Sequence, residues 1–314
     1  MPEGPEVRRY ADQLHKVLSG QPICAIDART KAAKAWLAQH PSTLLGRRVE
    51  CVRSHGKNLY ARLEGGYFFY SHLMMWGRWE VVPNDGEIAR DRRERARITV
   101  PQCVAILLSA PVFEIGHGDP LVQNEYLAAL GPDALPYPDE GDFNEPEFRS
   151  RFAAPEHAER TVGAALLDQT IVAGLGNYLR AEILFKCRIN PWKCVRDLSE
   201  AEVTKLCRAV PQITRRAYQN GGATTSPATR RKMQRDDSLV RRPNVEWHTR
   251  HYVFRRTNLP CVDCGDTIRQ KRQITRVLED DEKTRIIYFC PTCQNTTVEL
   301  KPLRTRRAKP HVKD

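Results

Sequence analysis

The sequence has no run of about eighteen uninterrupted apolar residues, which is the length that a helix needs to cross a membrane. Its first residues are polar and acidic, so they do not form the basic and then apolar pattern of a secretory signal. Ten cysteines in 314 residues are few for a scaffold held together by disulfides. We therefore expect a cytoplasmic protein without a membrane partner, in which paired cysteines bind metal.

Acidic residues are also in short supply. The 38 Asp and Glu residues are outnumbered by 50 Lys and Arg residues, which leaves a net charge of +12. A chain this basic favours a polyanionic partner, and both nucleic acid and an anionic membrane surface carry that charge. The length of the chain allows a sizeable core and predicts two domains or more.

The first part of the chain changes from a helical pattern to a strand pattern. Apolar residues at helical spacing predict a helix over residues 5–19, and a weaker pattern predicts another over residues 31–39. From Pro22 to about Ala110, short strands separated by turn residues predict a β-sandwich or a β-barrel. These strands are expected at residues 49–53, 59–63, 67–70, 78–82, 96–100 and 104–108.

The second part of the chain is predicted to be mainly helical. Prolines and aspartates over residues 131–142 predict a linker between domains. The polar, basic residues 220–250 predict a mobile loop, and the basic tail from Lys301 predicts disorder with non-specific affinity for nucleic acid. Between the linker and the basic loop, helices are expected at residues 162–167, 177–186, 199–210 and 211–219.

Two Cys-x-x-Cys pairs give the strongest isolated signal in the chain. Four thiolates suit tetrahedral zinc and leave no open coordination position, so we predict one structural Zn2+. Arg285 and Arg276 lie between the pairs, where a β-hairpin fits. Arg285 on such a hairpin suits contact with phosphate, whereas Arg276 is interpreted as a solvated charge. The pairs are Cys261 with Cys264 and Cys290 with Cys293.

The first six residues are a second informative stretch. Removal of the initiator methionine would leave Pro2 with a free secondary amine, which can attack an aldehyde-like carbon and form an iminium. Glu3 and Glu6 follow closely, and carboxylates beside a nucleophilic amine can transfer protons. Taken alone, these residues are more typical of the start of a helix, with Pro5 at its first position.

Three further stretches carry candidate binding residues. Gly174-Leu175-Gly176 precedes Asn177, which begins a predicted helix whose N-terminus favours an anion. No buried parallel strand precedes these glycines, so they are poor evidence of a dinucleotide-binding fold. Lys57 lies in a turn between strands, where it is either solvated or a phosphate contact. The run Met74-Met75-Trp76 cannot face one side of a strand, so it either packs in a loop or projects as a wedge that can enter a base stack.

Four of these stretches together resemble the formamidopyrimidine-DNA glycosylase/endonuclease VIII family of base-excision repair enzymes. They follow the order of the family along nearly the whole chain, so the combination is specific although most of its motifs are weak alone. The run 174–180, and Ser109-Ala110 with Glu114, resemble the endonuclease VIII branch. The four stretches are residues 1–6, 55–57, 173–182 and 261–293 with Arg285.

The resemblance implies an α+β multidomain fold and a monomer. An N-terminal catalytic β-sandwich with helices is expected at residues 1–134, and a helix–two-turn–helix DNA-binding domain at residues 145–252. A zinc-finger β-hairpin is expected at residues 253–297, followed by the basic disordered tail at residues 298–314. The implied partner is double-stranded DNA that contains damaged bases or abasic sites.

The resemblance also implies roles for a catalytic set formed by Pro2, Glu3, Glu6, Lys57 and Arg285. Pro2 is expected to be the Schiff-base nucleophile, and Glu3 the proton donor during base release and opening of the sugar ring. Glu6 is expected to assist. Lys57 is expected to contact phosphate near the lesion, and Arg285 to bind the backbone beside the flipped nucleotide.

Further DNA contacts are implied outside this set. Asn177 is expected to bind the DNA backbone, and Glu182 matches an acidic position with a structural role. Where endonuclease VIII usually carries Gln-Leu-Tyr, this chain has Met74-Met75-Trp76. We expect this wedge to fill the void left by the flipped base, but a methionine cannot make the hydrogen bonds of glutamine to a base edge.

The function expected from these observations is a bifunctional DNA glycosylase and AP lyase. It would excise oxidised bases, chiefly pyrimidines, and cut the strand by β,δ-elimination in base excision repair, in the cytoplasm and associated with the nucleoid. One alternative is an oxidised-purine glycosylase of the formamidopyrimidine type. The other is a non-catalytic DNA-damage-binding protein, which explains the zinc site and the charge but not why Pro2, Glu3, Glu6 and Lys57 occur together.

Overall fold

The computed structural model describes residues 2–241, 243–278 and 281–296. The expected basic tail at residues 298–314 lies outside them. No helix in these described ranges is long and apolar enough to span a membrane. The first part of the chain contains α1 (Gly4–Leu18), β1 (Ala25–Ala28), α2 (Lys31–Gln39), β2 (Val49–His55), β3 (Asn58–Leu63), β4 (Tyr67–His72), β5 (Arg78–Pro83), β6 (Glu94–Thr99), β7 (Cys103–Leu108) and β8 (Val112–His117).

These strands form a β-sandwich, as the strand pattern predicted. One antiparallel sheet has the strand order β1-β6-β7-β5, and the other has the order β2-β3-β4-β8. Their facing side chains enclose a core with one face of α1, where residues at helical spacing are buried. Two strands, β1 and β8, were not predicted, because β1 has only four residues and Glu114 and Gly116 interrupt the apolar pattern of β8.

The second part of the chain is helical and ends in a two-stranded hairpin. Its strands β9 and β10 are antiparallel and pair along their whole length with one irregularity. The elements are α3 (Pro120–Gln123), α4 (Glu125–Ala128), α5 (Glu145–Phe152), α6 (Val162–Ala165), α7 (Asn177–Cys187), α8 (Glu200–Gln219), α9 (Pro227–Arg235), α10 (Val245–His248), β9 (Arg269–Leu278) and β10 (Asp281–Phe289).

The two helices predicted at 199–210 and 211–219 are one helix, α8, which continues through Pro211. Proline removes a backbone hydrogen bond, which typically costs about 3 kcal/mol inside a helix. The apolar face of α8 nevertheless runs unbroken past this point, because Leu206, Val210, Ile213 and Ala217 are all buried in the same core. Burial on both sides of Pro211 therefore outweighs the lost bond.

The prediction of a mobile loop at residues 220–250 was wrong. The described residues of this segment include α9, a 3-10 turn at Asp237–Leu239 and α10. Met233 and Leu239 are buried in a cluster that also contains three of the paired cysteines. Apolar residues this widely spaced in a basic segment escape a sequence pattern, although each one closes the same core.

The predicted linker at residues 131–142 is partly a packed element. Residues 131–135 are buried, and the Asp133 carboxylate accepts a hydrogen bond from the backbone N–H of Gly56 at 3.0 Å. Its other oxygen accepts a hydrogen bond from the N–H of Leu135 at 2.9 Å. Proline and glycine indicate a break in regular structure, but they do not show whether that break is solvated.

A single buried carboxylate fastens the segment before the cysteine hairpin to α7. Glu182 is fully buried and accepts hydrogen bonds from the backbone N–H groups of Tyr252, Val253 and Phe254 at 2.8–2.9 Å. The hydroxyl of Thr224 donates to it as well. This carboxylate therefore has the structural role that the resemblance implied.

We expect Glu182→Ala to lower the free energy of unfolding by about 3 kcal/mol or more, because it leaves buried N–H groups without an acceptor at about 1–3 kcal/mol each. Urea unfolding followed by circular dichroism measures this loss. The matched control is Glu246→Ala, since that side chain is 78% exposed, and it should change the same quantity by less than about 0.5 kcal/mol. Equal losses in the two variants would contradict the role of Glu182.

Candidate active site

Three segments that are far apart in the sequence meet where α1 begins. The backbone N–H of Gly4 donates a hydrogen bond to the carbonyl oxygen of Gly174 at 2.9 Å. Gly56, in the turn between β2 and β3, has a φ of +57°, and a Cβ there would lie 2.7 Å from both the Cβ of Ala173 and the backbone nitrogen of Gly174. Only glycine permits this approach. The start of the chain, the lysine turn and the glycine run are therefore brought together.

The Glu3 carboxylate lies at the N-terminus of α7. It is buried and accepts hydrogen bonds from the backbone N–H groups of Gly176, Tyr178 and Leu179 at 2.8, 2.9 and 3.2 Å. A Cβ at Gly176 would overlap this carboxylate. The helix N-terminus that was predicted to favour an anion thus receives a side chain of the protein itself.

Glu6 holds the backbone that carries Glu3. Its Oε2 accepts a hydrogen bond from the N–H of Glu3 at 2.9 Å, and its Oε1 pairs with the Arg9 guanidinium at 2.9 Å. The hydroxyl of Tyr178 also donates to this carboxylate, at 3.2 Å. These contacts fix the peptide that joins Glu3 to the half-buried Pro2.

Glu3 and Lys57 form an electrostatically coupled pair. Burial raises the pKa of the Glu3 carboxyl to about 7, and the Lys57 ammonium opposes that rise. Burial lowers the pKa of Lys57 to about 8, which Glu3 opposes and the cations of Arg285 and Arg180 reinforce. Within the described residues, Lys57 makes no hydrogen bond or ion pair. Both groups therefore change protonation state close to neutral pH, as acid–base groups need to do.

Asn177 and Arg285 lie on facing parts of the helical region and the hairpin. Asn177 is the first residue of α7, and its Oδ1 accepts a hydrogen bond from Arg180 at 3.3 Å, which leaves its amide N–H groups as donors. Arg285 is exposed on β10, opposite Gln273 of β9. Its effect on the pKa of Lys57 places it within electrostatic reach of the lysine turn. Arg276 is exposed on β9, as interpreted from the sequence.

Met74, Met75 and Trp76 project from the loop between β4 and β5. Their exposed fractions are 48%, 57% and 78%, so these side chains project outward and do not pack in the loop. The backbone N–H of Met74 donates to Nδ1 of His72 at 3.1 Å. Burial lowers the pKa of His72 to about 4, and Lys57 adds to this effect, so the ring is neutral and can accept that bond.

The four paired cysteines converge after β10. The Sγ atoms of Cys261 and Cys293 lie 3.8 Å apart, those of Cys264 and Cys290 lie 3.4 Å apart, and all four lie within 4.8 Å of one another. A tetrahedral site with metal–sulfur bonds of about 2.3 Å places sulfurs about 3.8 Å apart. The donor set therefore fits a tetrahedral metal ion without an open position. The remaining cysteines lie outside this cluster.

Several residues of the site were not singled out from the sequence. Tyr178 and Arg180 fall inside the glycine–asparagine run, but helical periodicity gives no reason to separate them from core residues. Asp133 was hidden in the predicted linker, and His72 at the end of a strand. Gln273 is a polar residue of β9 that is buried between the hairpin and α6. Only pairings between distant parts of the chain reveal these positions.

A β-sandwich whose first residues meet the N-terminus of a helix in a second, hairpin-capped region is the architecture of DNA glycosylases that are also AP lyases. Residues 1–106 match the family model of the formamidopyrimidine-DNA glycosylase N-terminal domain. Residues 130–229 match the model of the formamidopyrimidine-DNA glycosylase H2TH domain. The chain belongs to the formamidopyrimidine-DNA glycosylase/endonuclease VIII family.

Whole-chain relatives and solved structures agree with this assignment. Endonuclease 8 of Salmonella schwarzengrund strain CVM19633 is 32% identical over 295 residues, which cover 94% of this chain and all of the relative. Endonuclease 8 of Klebsiella pneumoniae strain 342 is 30% identical over 300 residues, with the same coverage. Wild-type Lactococcus lactis Fpg (MutM), solved with DNA that contains N7-benzyl-Fapy-dG, shares the fold with a TM-score of 0.72 at 24% identity, over 94% of this chain and all of that one.

The coupling of Glu3 to Lys57 predicts how activity depends on pH. If protonated Glu3 is required, the single-turnover rate on abasic-site DNA falls as the pH rises through about 7, since the proton is then lost. Because the Lys57 cation lowers the pKa of Glu3, Lys57→Met should move this fall to higher pH. The control is Lys34→Met on α2, an exposed lysine whose loss should leave the profile in place. The coupling would be contradicted if the single-turnover rate of Lys57→Met declined at the same pH as that of the wild type, or at a lower pH.

Proposed function

We propose that this enzyme excises oxidised bases, chiefly pyrimidines, from double-stranded DNA in base excision repair and cuts the strand at the resulting abasic site. The observation that carries this proposal is that the start of the chain, with Pro2 and Glu3, meets Lys57 and the N-terminus of α7 at the buried Glu3 carboxylate. A protein that only binds DNA needs the +12 net charge but not a carboxyl with a pKa of about 7. The proposed place of action is the cytoplasm, at the nucleoid.

In the first step, the nucleotide is flipped out of the duplex so that its C1′ becomes accessible. After removal of Met1, the secondary amine of Pro2 forms a bond to C1′, and the bond between C1′ and the damaged base breaks. Glu3 supplies a proton for base release, takes up the proton that the Pro2 nitrogen loses, and passes it to the sugar ring oxygen, which leaves as a hydroxyl when the ring opens. The product is an iminium between the Pro2 nitrogen and C1′.

In the second step, the iminium cuts the strand. It withdraws electrons from C2′, so a proton is lost there and the bond to the 3′ phosphate breaks. A second elimination releases the 5′ phosphate, and water hydrolyses the remaining iminium to free Pro2. Glu6 assists by holding the N–H of Glu3, and hence the peptide next to the nucleophile.

Binding of the DNA is assigned to groups around this centre. Lys57, Asn177 and Arg285 contact backbone phosphates near the flipped nucleotide, and the exposed run Met74-Met75-Trp76 fills the void in the base stack. The Lactococcus lactis structures contain abasic-site DNA and DNA with a Fapy lesion, which supports damaged duplex as the partner. The Endonuclease 8 relatives support the endonuclease VIII branch that residues 174–180 resemble, and the proposed preference for pyrimidines is what that resemblance implies.

We also propose three domains, at residues 1–134, 145–252 and 253–297. One core cluster lies within residues 7–115, which supports the first domain. A second cluster is formed mainly by residues 134–217. The third cluster joins residues of α7 and α9 to the paired cysteines, so the last two domains share apolar surface.

The metal proposed for the cysteine cluster is one structural Zn2+. Its binding free energy would stabilise the hairpin that carries Arg285. We expect Cys290→Ser to release the metal and weaken binding to damaged DNA, measured by elemental analysis and fluorescence anisotropy. The control Cys24→Ser, an exposed cysteine outside the cluster, should keep one zinc per chain. A metal-free variant that binds damaged DNA normally would overturn this role.

Borohydride trapping tests the proposed chemistry. On a duplex with one oxidised pyrimidine, the wild-type enzyme should form a covalent adduct, and its intact mass should lack Met1. Pro2→Gly should lower the rate of adduct formation by about a hundredfold or more, as expected for removal of a catalytic group. Pro101→Gly, in an exposed turn, is the matched control and should react like wild type.

The substrate panel separates the alternatives. An adduct with an oxidised-purine duplex but not with the pyrimidine duplex would keep the mechanism and assign the enzyme to the formamidopyrimidine type. No adduct with either duplex or with an abasic-site duplex would instead support the non-catalytic binding protein. Full activity in protein that retains Met1 would exclude Pro2 as the nucleophile.

A further inference from the structure

Arg180 is a buried cation that makes no ion pair within the described residues, although the Glu3 carboxylate acts on it from a distance. Its side chain, on α7, is fully buried, and in the described part of the chain no carboxylate lies within ion-pair distance of it. Burial lowers its pKa to about 9. Removing a charge from water without a paired charge is costly, so a role limited to filling space would be served better by an apolar side chain.

The Arg180 guanidinium instead ties three elements together by hydrogen bonds. Nη1 donates to the carbonyl oxygen of Gly163 and to Oε1 of Gln273, both at 3.1 Å. Nη2 donates to the carbonyl oxygen of Ile286 at 2.9 Å and to Oδ1 of Asn177 at 3.3 Å. Its Nε is buried without a hydrogen-bond partner. The acceptors belong to α6, α7 and both strands of the hairpin.

Two of these acceptors adjoin the groups assigned to DNA phosphate. The bond to Asn177 Oδ1 fixes the amide so that its N–H groups remain as donors. The bond to Ile286 holds the residue next to Arg285 in β10, and Gln273 is the cross-strand partner of Arg285. One nitrogen, Nη2, therefore sets the separation between the start of α7 and the strand that carries Arg285.

We propose that Arg180 is a positioning residue that holds Asn177 and Arg285 at the spacing required to bind a DNA backbone phosphate together. This inference rests on the proposed function, because the phosphate roles of Asn177 and Arg285 belong to it. An arginine suits this position since a planar fork can serve several fixed acceptors at once. Attraction between the buried cation and the bound phosphate would offset part of the cost of burying it.

A merely structural tie is the competing explanation, and the chain offers a matched control for it. Arg256 is also fully buried, and among the described residues it donates to the carbonyl oxygens of His248 and Pro260. Its Nε likewise lacks a partner, and it makes no ion pair within the described residues. Arg180 is one of the cations that lower the pKa of Lys57. Loss of either arginine removes hydrogen bonds from a buried guanidinium, four for Arg180 and two for Arg256 among the described residues, but only Arg180 adjoins the proposed phosphate site.

The test measures binding to a duplex with a stable abasic-site analogue over a range of salt concentrations, for metal-loaded protein. For Arg180→Met we expect Kd to rise about tenfold and the slope of log K against log salt to fall by about 0.9, as for one lost phosphate contact. The single-turnover rate at saturating DNA should fall by a smaller factor than the affinity does, because Arg180 touches none of the reacting atoms. Arg256→Met should lower the Tm but keep the slope.

Two further variants separate geometry from charge. Arg180→Lys keeps the cation but cannot reach all four acceptors. The slope of log K against log salt should therefore fall as much as in Arg180→Met. If Arg180→Met does not fold, the same measurements on Arg180→Lys test the inference. Arg180→Met added to the double variant Asn177→Ala/Arg285→Ala should weaken binding no further, since both groups that Arg180 positions are then already absent.

Wild-type slope and Kd in a folded Arg180 variant would overturn the inference. So would a further loss of affinity when Arg180→Met is added to Asn177→Ala/Arg285→Ala. Failure of the proposed function is recognised separately, because it appears as the absence of an adduct with wild-type enzyme on every duplex. Binding to the abasic-site analogue needs no catalysis and is measured in either case.

Discussion

The structure depends on one interaction in the active site. The Glu3 carboxylate, from the start of the chain, accepts hydrogen bonds from backbone N–H groups at the N-terminus of α7. Three backbone N–H groups and the positive end of the helix favour its ionised form, yet the pKa of the carboxyl is raised to about 7. Desolvation therefore outweighs the hydrogen bonds. The same contact explains why Gly176 must be glycine, and it joins the β-sandwich to the helical region at the point where chemistry is proposed.

The helical region and the cysteine hairpin depend on each other. Glu182 of α7 fixes the backbone that leads to the first cysteine pair, and Met233 of α9 packs in the same cluster as the cysteines. Buried hydrogen-bonded groups stabilise this interface. They also make it specific, because burying any of these polar groups without its partner would cost free energy. Arg180 and Gln273 extend the same design to the groups that face the DNA in the proposed function.

The exposed run Met74-Met75-Trp76 shows how local backbone chemistry positions an apolar loop tip. Strand β4 ends at His72, whose neutral ring accepts the N–H of Met74, a residue with a φ of +52°. Leu73 is buried while the next three side chains are not, so the loop is anchored on one side and open on the other. The sequence identified the run but could not decide its direction, since that depends on which neighbour the loop packs against.

The sequence by itself determined what is local or periodic: six of the eight sandwich strands, α1 and α7, the four clustered cysteines and the family. These follow from side-chain periodicity, from Cys-x-x-Cys spacing and from motifs that lie within short stretches. Only the tertiary structure decided that α8 runs through Pro211, that residues 220–250 are mostly packed, and that Asp133, Arg180 and Gln273 belong to the site. Each of these outcomes is a balance between a local penalty and burial or hydrogen bonding with residues far away in the chain, and no local pattern contains the second half of that balance.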